Sequence, residues 1–313
     1  MSLTSMMRGK DPKSLKLQEV IKAILPKKNQ FYTLTGNAPF DVHAVPVSPY
    51  DSENLRYSGI IGTAIELMGK YHIGRLSKFK RTIYNARTTG LASSGLELLE
   101  YSLDKSNFCK IYLKYSDRYE YIKSYVEGKD VSINDLIQSA VLSSKLENCA
   151  RAGMLPENPL SYFTEDIKES VVDDLESLYR GFIATFVETE ILQNIKEIEF
   201  HPLFGVASKS VGGADGDLYI DGTMYDFKTS KNRGYEWMEI SLLICYSLFS
   251  DISSEIFDLG IPGLSNEFPY KTNRIALYRT RFNEIEYFDL DEIPRKKWDA
   301  AKIEIKELLD IKY

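Results

Sequence analysis

Hydrophobic and polar positions alternate most regularly in two short β-prone runs, Leu218–Ile220 and Thr223–Phe227, on either side of an Asp-Gly pair at 221–222. Such a pair between alternating runs predicts a hairpin, because a type I′ turn needs positive φ at both central residues. With this pair as the loop, the register places Asp217 opposite Asp226. The sequence therefore predicts a hairpin whose open end carries opposed carboxylates.

The open end of this hairpin concentrates charge on one face. The side-chain period of two places Lys228 on the face of Asp226, and Asp215 on the face of Asp217. Opposed like charges repel unless a cation lies among them, and carboxylate oxygens suit Mg²⁺ or Mn²⁺. The alternative interpretation is the solvated polar face of an edge hairpin.

Longer windows with apolar residues three and four apart predict helices. They are Ser14–Leu25, Tyr57–Leu76, Ser93–Leu103, Val131–Ala150, Thr164–Ile195, Glu236–Ser250 and Pro294–Leu309. Further strands are predicted at Ile195–Phe204, Arg274–Thr280 and Ile285–Asp289, with a loop at Gly205–Gly213. This order of elements predicts an α/β or α+β core with a helical insertion.

Two of these predicted helices carry charged side chains that face either solvent or other charges. In the Tyr57–Leu76 helix, Gly62 and Glu66 share a face, and Glu66 either lies at the solvent edge or faces another charge. In the window that ends at Ile195, Thr164 followed by two acids suits a helix start, where the helix dipole favours acids. Five later acids are expected to form its solvent-facing side: Asp173, Asp174, Glu176, Glu188 and Glu190.

Basic residues are interleaved with aromatic residues between Lys70 and Arg87. Such a mixture can contact phosphates and stack on bases, although the solvated end of an amphipathic helix is an equal alternative. The basic residues concerned are Lys70, His72, Arg75, Lys78, Lys80, Arg81 and Arg87.

The composition is that of a globular protein, with 313 residues of which 43% are hydrophobic and 27% charged. A net charge of −6 argues against non-specific coating of nucleic acid. Three widely spaced cysteines fit a reducing cytoplasm, and three histidines argue against a His-rich zinc site. No window approaches the ~20 apolar residues of a membrane span, and no secretory signal is visible, so we expect a cytoplasmic protein without membrane association.

Asp217, eight further residues and then Asp226-Phe227-Lys228 resemble the D…(D/E)xK signature of the PD-(D/E)XK nuclease superfamily. Gly62-x-x-x-Glu66 and an apolar helix with Tyr246 resemble the branch that contains the RecB nuclease domain. The chain departs from that branch in three places. No Pro precedes Asp217, Ala214 stands at a Gly position of the motif, and Leu242 stands at a Gln position.

This resemblance implies a restriction-endonuclease-like core, with a mixed central sheet flanked by helices. The core would comprise residues 57–84 and 195–313. Residues 1–56 would be an N-terminal extension with a loop, and residues 85–194 a large helical insertion.

The resemblance also implies Mg²⁺- or Mn²⁺-dependent hydrolysis of phosphodiester bonds in single- or double-stranded DNA. Asp217 and Asp226 would hold the metal together with the backbone carbonyl of Phe227. Glu66 would complete the ligand set directly or through water. Asp215 is the alternative ligand, because a register shift of two residues leaves it on the same face.

Lys228 would orient the attacking water or help to deprotonate it, and these two roles remain open. Substrate contacts are expected from Lys78, Lys80 and Arg81, and from Tyr246 unless its ring belongs to the core. An alternative function is a catalytically silent, nuclease-like subunit that binds nucleic acid or has a structural role. A weaker one is a Ca²⁺- or small-molecule-binding protein, and the oligomeric state stays open.

Overall fold

A six-stranded mixed sheet lies at the centre of the fold, with helices on both of its faces. The computed structural model describes residues 2–48, 51–76, 86–189, 191–260, 268 and 270–311. Its strands are β1 (Tyr32–Thr33), β2 (Ile198–Phe200), β3 (Leu218–Ile220), β4 (Thr223–Lys228), β5 (Arg274–Arg279) and β6 (Glu284–Asp289). Their order is β1-β6-β5-β4-β3-β2, with β4 and β5 parallel and the other neighbours antiparallel. The prediction of a mixed α/β fold is confirmed.

Eleven α-helices accompany this sheet in the described ranges. They are α1 (Leu3–Arg8), α2 (Pro12–Lys22), α3 (Ser58–Leu76), α4 (Ala86–Ser102), α5 (Lys105–Val126), α6 (Ile133–Ala152), α7 (Pro159–Thr164), α8 (Glu169–Phe182), α9 (Gly205–Ser210), α10 (Trp237–Asp258) and α11 (Arg295–Leu308). A π-helical turn, Ile183–Val187, continues α8.

The β3–β4 hairpin has the predicted register, with Leu218 opposite Tyr225 and Ile220 opposite Thr223. Asp221 and Gly222 have φ angles of 42° and 89°, as a type I′ turn requires. The carboxylate of Asp221 accepts the backbone N–H of Glu197 at 2.7 Å, which ties the turn to the segment before β2. The hairpin prediction is confirmed for the three pairs from Leu218 to Ile220, while the predicted pair of Asp217 and Asp226 lies just beyond this ladder.

The sheet is buried on both faces, and each face has its own hydrophobic cluster. Tyr219 and Met224 face the cluster formed with α2, α10 and α11. Phe227 faces the opposite cluster, formed with α3, α6 and α8. There its ring stacks near Phe182 and Phe186 at centroid distances of 6.4 and 6.0 Å. The helices between residues 105 and 187 therefore share a core with the sheet, while the predicted domain division stays a prediction.

Helix α10 is long and apolar enough to cross a membrane by length and composition, with a mean hydropathy of 1.4 over its apolar window. The expectation that no window approaches a membrane span is therefore wrong by length and composition. In the structure 72% of that window is buried, and the helix packs on β4, β5 and α2. The helix is thus a core element of this fold, and it contains most of the helix predicted at Glu236–Ser250.

Three segment predictions are wrong in detail. Thr164 ends α7 instead of starting a helix, because its hydroxyl donates back to the Leu160 carbonyl at 2.7 Å. The next helix begins only at Glu169. The expected loop Gly205–Gly213 contains α9, and β2 is shorter than predicted because the chain turns at His201 with φ of 48°.

The prediction that the acids of the α8 region face solvent is wrong for Asp174. Asp174 is only 8% exposed, and its carboxylate accepts two hydrogen bonds of 2.8 Å from the guanidinium of Arg281. Arg281 is 1% exposed and also donates to the Thr229 carbonyl at 3.0 Å. This buried ion pair therefore joins α8 to the chain that leaves β4. Asp173 and Glu188 are exposed as expected, and Glu190 lies outside the described residues.

We expect Asp174→Asn to lower the free energy of unfolding by about 3–5 kcal/mol, because it leaves the buried Arg281 guanidinium without its anion. Urea denaturation measures this effect. Asp173→Asn is the matched control on the same helix and should stay within about 0.5 kcal/mol of the wild type. Equal effects of the two variants would contradict the importance of the buried pair.

Candidate active site

The open end of the β3–β4 hairpin brings Asp217, Asp226 and Lys228 together. Oδ2 of Asp217 accepts the backbone N–H of Phe227 at 2.7 Å, so the Asp217 side chain reaches across to β4. Asp226 is 7% exposed, and its Oδ2 forms an ion pair with the Lys228 ammonium group. Two carboxylates and one ammonium group thus share the end of the hairpin.

A cleft of about 700 Å³ opens over this end of the hairpin and also includes Glu66 of α3 and Tyr246 of α10. Seven carboxylates but only three cationic side chains line it among the described residues. The acids are Glu66, Glu147, Asp215, Asp217, Asp226, Glu236 and Glu239, and the cations are Arg8, Arg151 and Lys228. The fold therefore gathers an excess of negative charge from segments that are far apart in sequence.

Burial of these acids changes their protonation. Burial, reinforced by the charge of Glu66, raises the pKa of Asp217 to about 7. Burial also raises the pKa of Asp226 to about 6, although the neighbouring Lys228 opposes the shift. Burial opposes the charged form of Lys228, but Asp226 and Asp217 raise its pKa above the ordinary value. Burial thus disfavours an isolated negative charge on each carboxylate, whereas a nearby cation favours that charge.

Glu66 faces a second internal lysine. Lys70, one helical turn later, is fully buried and forms an ion pair with Oε1 of Glu66. Its Nζ also lies 2.8 Å from Nε2 of His201, which is 6% exposed. Backbone N–H of His201 donates to the Asp217 carbonyl at 3.2 Å. Glu66, Lys70 and His201 therefore link α3 to the strand that carries Asp217.

The structure describes only part of the basic segment predicted between Lys70 and Arg87. Its first three basic residues make contacts within the protein. Lys70 is buried, and Nδ1 of His72 lies within 2.7 Å of the hydroxyls of Tyr125 and Tyr179. Arg75 donates to backbone carbonyls between residues 125 and 129. The expectation of a phosphate-contacting surface is wrong for these three residues. The remaining substrate candidates there, Lys78, Lys80 and Arg81, lie outside the described residues.

The other predicted site residues have distinct positions. Tyr246 lines the cleft but is 8% exposed, and its ring stacks on Phe204 at a centroid distance of 5.3 Å. Asp215 lies at the side of the cleft, where its carboxylate is 3.5 Å from Arg151 of α6. Asp217 instead lies near both Glu66 and Asp226, because the charge of Glu66 raises the pKa of Asp217 and the charge of Asp217 raises the pKa of Asp226.

Several cleft residues were not expected from the sequence. Glu147 and Arg151 come from α6, where Arg151 Nε donates to Glu147 at 3.0 Å. Glu239 of α10 accepts a hydrogen bond of 2.8 Å from Arg279. The only signal for the first pair was an (i, i+4) charge pair at the end of an otherwise apolar helix. Because such a pair usually lies on the solvated surface, the sequence did not indicate that these two residues line a cleft.

Two carboxylates of the cleft could hold a divalent cation that takes only a few of its ligands from the protein. Within the described ranges, no three His, Cys, Asp or Glu side chains are close enough to form a metal site by themselves. Mg²⁺ is commonly held by one or two carboxylates together with water and substrate oxygens. Asp217 and Asp226, with their raised pKa values, are the carboxylate pair that matches this requirement.

Comparisons with known proteins give no assignment: the chain matches no protein-family model, no curated protein and no solved structure.

We expect Lys70→Met to lower the free energy of unfolding by about 3–5 kcal/mol at neutral pH, because Glu66 then lacks its buried cation. Urea denaturation of this variant and of Glu66→Gln/Lys70→Met measures the pair. The double variant removes both charges and should recover much of the loss. A double variant as unstable as Lys70→Met would show that the charge of Glu66 is not the cause.

Proposed function

We propose that this protein is a Mg²⁺-dependent nuclease that hydrolyses DNA phosphodiester bonds on a restriction-endonuclease-like core. The observation that carries the proposal is the convergence of Glu66, Asp217, Asp226 and Lys228 on one cleft. Glu66 precedes the hairpin by about 150 residues, so local sequence alone does not explain the grouping. The core in this proposal is the β3–β4 hairpin, followed by α10 and by β5 parallel to β4.

Asp217 and Asp226 would hold the metal, with the backbone carbonyl of Phe227 as a third ligand and Glu66 as a ligand through water. The bound cation would polarise the scissile phosphate and lower the pKa of a coordinated water. Mn²⁺ has similar ligand preferences and would be able to replace Mg²⁺.

Lys228 is the residue that would act on the attacking water. Its ammonium group pairs with Asp226, and a cation held by that carboxylate would compete with this contact. The released ammonium group would donate a hydrogen bond to the water or to a phosphate oxygen. It would thereby offset the negative charge that grows on the phosphate in the transition state.

The excess of acids in the cleft favours this function over that of a silent nucleic-acid-binding subunit. Seven carboxylates against three cations repel a polyanion when no metal is bound. A protein that only binds nucleic acid gains nothing from such an arrangement, whereas a metal-dependent enzyme needs it. A cytoplasmic location and the absence of membrane association stay predictions.

We expect Mg²⁺ to raise the unfolding temperature of the wild type and to have little effect on Asp226→Asn. A ligand at 100 times its Kd stabilises the native state by about 2.7 kcal/mol. Thermal unfolding by circular dichroism, with EDTA and with increasing Mg²⁺ or Mn²⁺, measures the difference. Asp291→Asn changes an exposed acid and should retain the full increment. An equal increment in Asp226→Asn would remove Asp226 from the metal site.

We expect Lys228→Ala to lower kcat for DNA cleavage by about 10²-fold or more, because a group that stabilises the transition state is lost. End-labelled linear, nicked and single-stranded DNA with Mg²⁺ or Mn²⁺ serve as substrates. Lys271→Ala, which removes an exposed lysine, is the matched control.

The same assay separates the two functions. Cleavage that persists in both Lys228→Ala and Asp226→Asn would remove the assigned active site. Tight DNA binding by the wild type without any cleavage would instead favour the silent subunit.

A further inference from the structure

A second cavity of about 450 Å³ adjoins the catalytic cleft and shares Gly59, Gly62 and Phe227 with it. We call it the glycine groove. Its other lining residues are Leu55 and Ser58 before and at the start of α3, and Thr229, Ser230, Lys231 and Asn232 after β4. The groove therefore continues the cleft along the chain that directly follows Lys228.

The glycine groove differs from the cleft in charge. Among the described residues no carboxylate lines it, whereas seven line the cleft. Its polar side chains can each donate a hydrogen bond, namely three hydroxyls, the Asn232 amide and the Lys231 ammonium group. In the described part of the chain, the buried Oγ1 of Thr229 has no hydrogen-bond partner. This lining suits an anion in a way that the acidic cleft does not.

The two shared glycines keep the passage between cleft and groove open. They lie three residues apart on α3 and so share one face of the helix. A Cβ added at Gly59 would meet no atom within 4 Å, and one at Gly62 would approach only Oγ1 of Thr229, at 3.9 Å. Internal packing therefore does not require glycine at either position, although glycine in a helix costs about 0.8–1 kcal/mol relative to alanine.

We propose that the glycine groove binds the nucleotide next to the scissile phosphate, with Lys231, Thr229 and Ser230 contacting the adjacent, non-scissile phosphodiester. This inference rests on the proposed nuclease function. A polynucleotide must continue beyond the scissile phosphate, and its backbone avoids the carboxylates by following the donor-lined side. Lys231 is three residues beyond Lys228, a reach of at most about 10 Å, and one nucleotide rises about 3.4 Å along the helix axis, so the adjacent phosphodiester lies within that reach.

Two variants test the groove without touching the residues assigned to catalysis. Gly59→Val places a side chain in the open passage, and Lys231→Ala removes the cation. We expect each to raise KM for an oligodeoxynucleotide about 10-fold with Mg²⁺, while Lys231→Arg retains the wild-type KM. For bis(p-nitrophenyl) phosphate, which has no flanking nucleotide, kcat/KM should be the same in the wild type and in both Lys231 variants. Gly59→Ala, whose methyl group meets no atom within 4 Å, controls for folding.

The outcomes separate the groove from the function itself. A wild type that cleaves DNA, with KM unchanged in Gly59→Val and Lys231→Ala, overturns the groove and leaves the nuclease in place. Equal losses in Lys231→Ala on the oligonucleotide and on bis(p-nitrophenyl) phosphate also overturn it, because the variant would then act on catalysis. A wild type that neither cleaves a labelled oligonucleotide nor binds it, by fluorescence anisotropy with Ca²⁺, overturns both proposals.

Discussion

The structure depends on the compensation of buried negative charge at the end of one hairpin. Burial raises the pKa of both Asp217 and Asp226, and the charge of Asp217 adds to the shift of Asp226. Lys228 offsets Asp226, and Lys70 offsets Glu66 on the neighbouring helix. Each lysine thus offsets the charge of one carboxylate, which is the role that a divalent cation would take in the proposed nuclease. Burying paired charges in this way rarely adds to stability. A role in function therefore explains these buried pairs better than a role in stabilising the fold.

A second set of buried charges holds this site in place. Arg279 is opposite Lys228 in the β4–β5 pairing, and it donates to Glu286 and Glu239 at 2.8 Å each. Arg281 similarly joins the chain after β4 to Asp174 of α8. Because each guanidinium group has several fixed partners, the Lys228 end of β4 is held from both sides of the sheet. Glu239, which lines the cleft, is thereby oriented by a residue that is itself fully buried.

Local chemistry explains which parts of this arrangement could be predicted from the sequence. The Asp221-Gly222 turn determines the hairpin register, and that register alone places Asp217 near Asp226. The burial of Lys70 and Asp174 could not be predicted, because each depends on a partner more than 100 residues away, His201 and Arg281. Likewise, the spacing of Glu147 and Arg151 is that of a solvated (i, i+4) pair on a helix. Only the packing of α6 on α3 shows that both side chains line the cleft. Helical periodicity identifies a buried face, but it does not show which charges find partners on that face.

The position of α6 gives the helical region between residues 85 and 194 a role at the site. Burial raises the pKa of Glu66, Glu147 of α6 adds to the shift, and Lys70 and Arg151 oppose it. Helix α6 thus contributes one charge of each sign to a cleft whose seven carboxylates and three cations give it a negative potential. For the proposed nuclease, that potential opposes DNA until metal ions are bound and attracts those ions in turn. Metal and DNA would therefore bind with positive coupling, and by linkage DNA would strengthen metal binding by the same factor. In the proposed nuclease, the excess of acids in the cleft would thus make metal occupancy a condition for substrate binding as well as for catalysis.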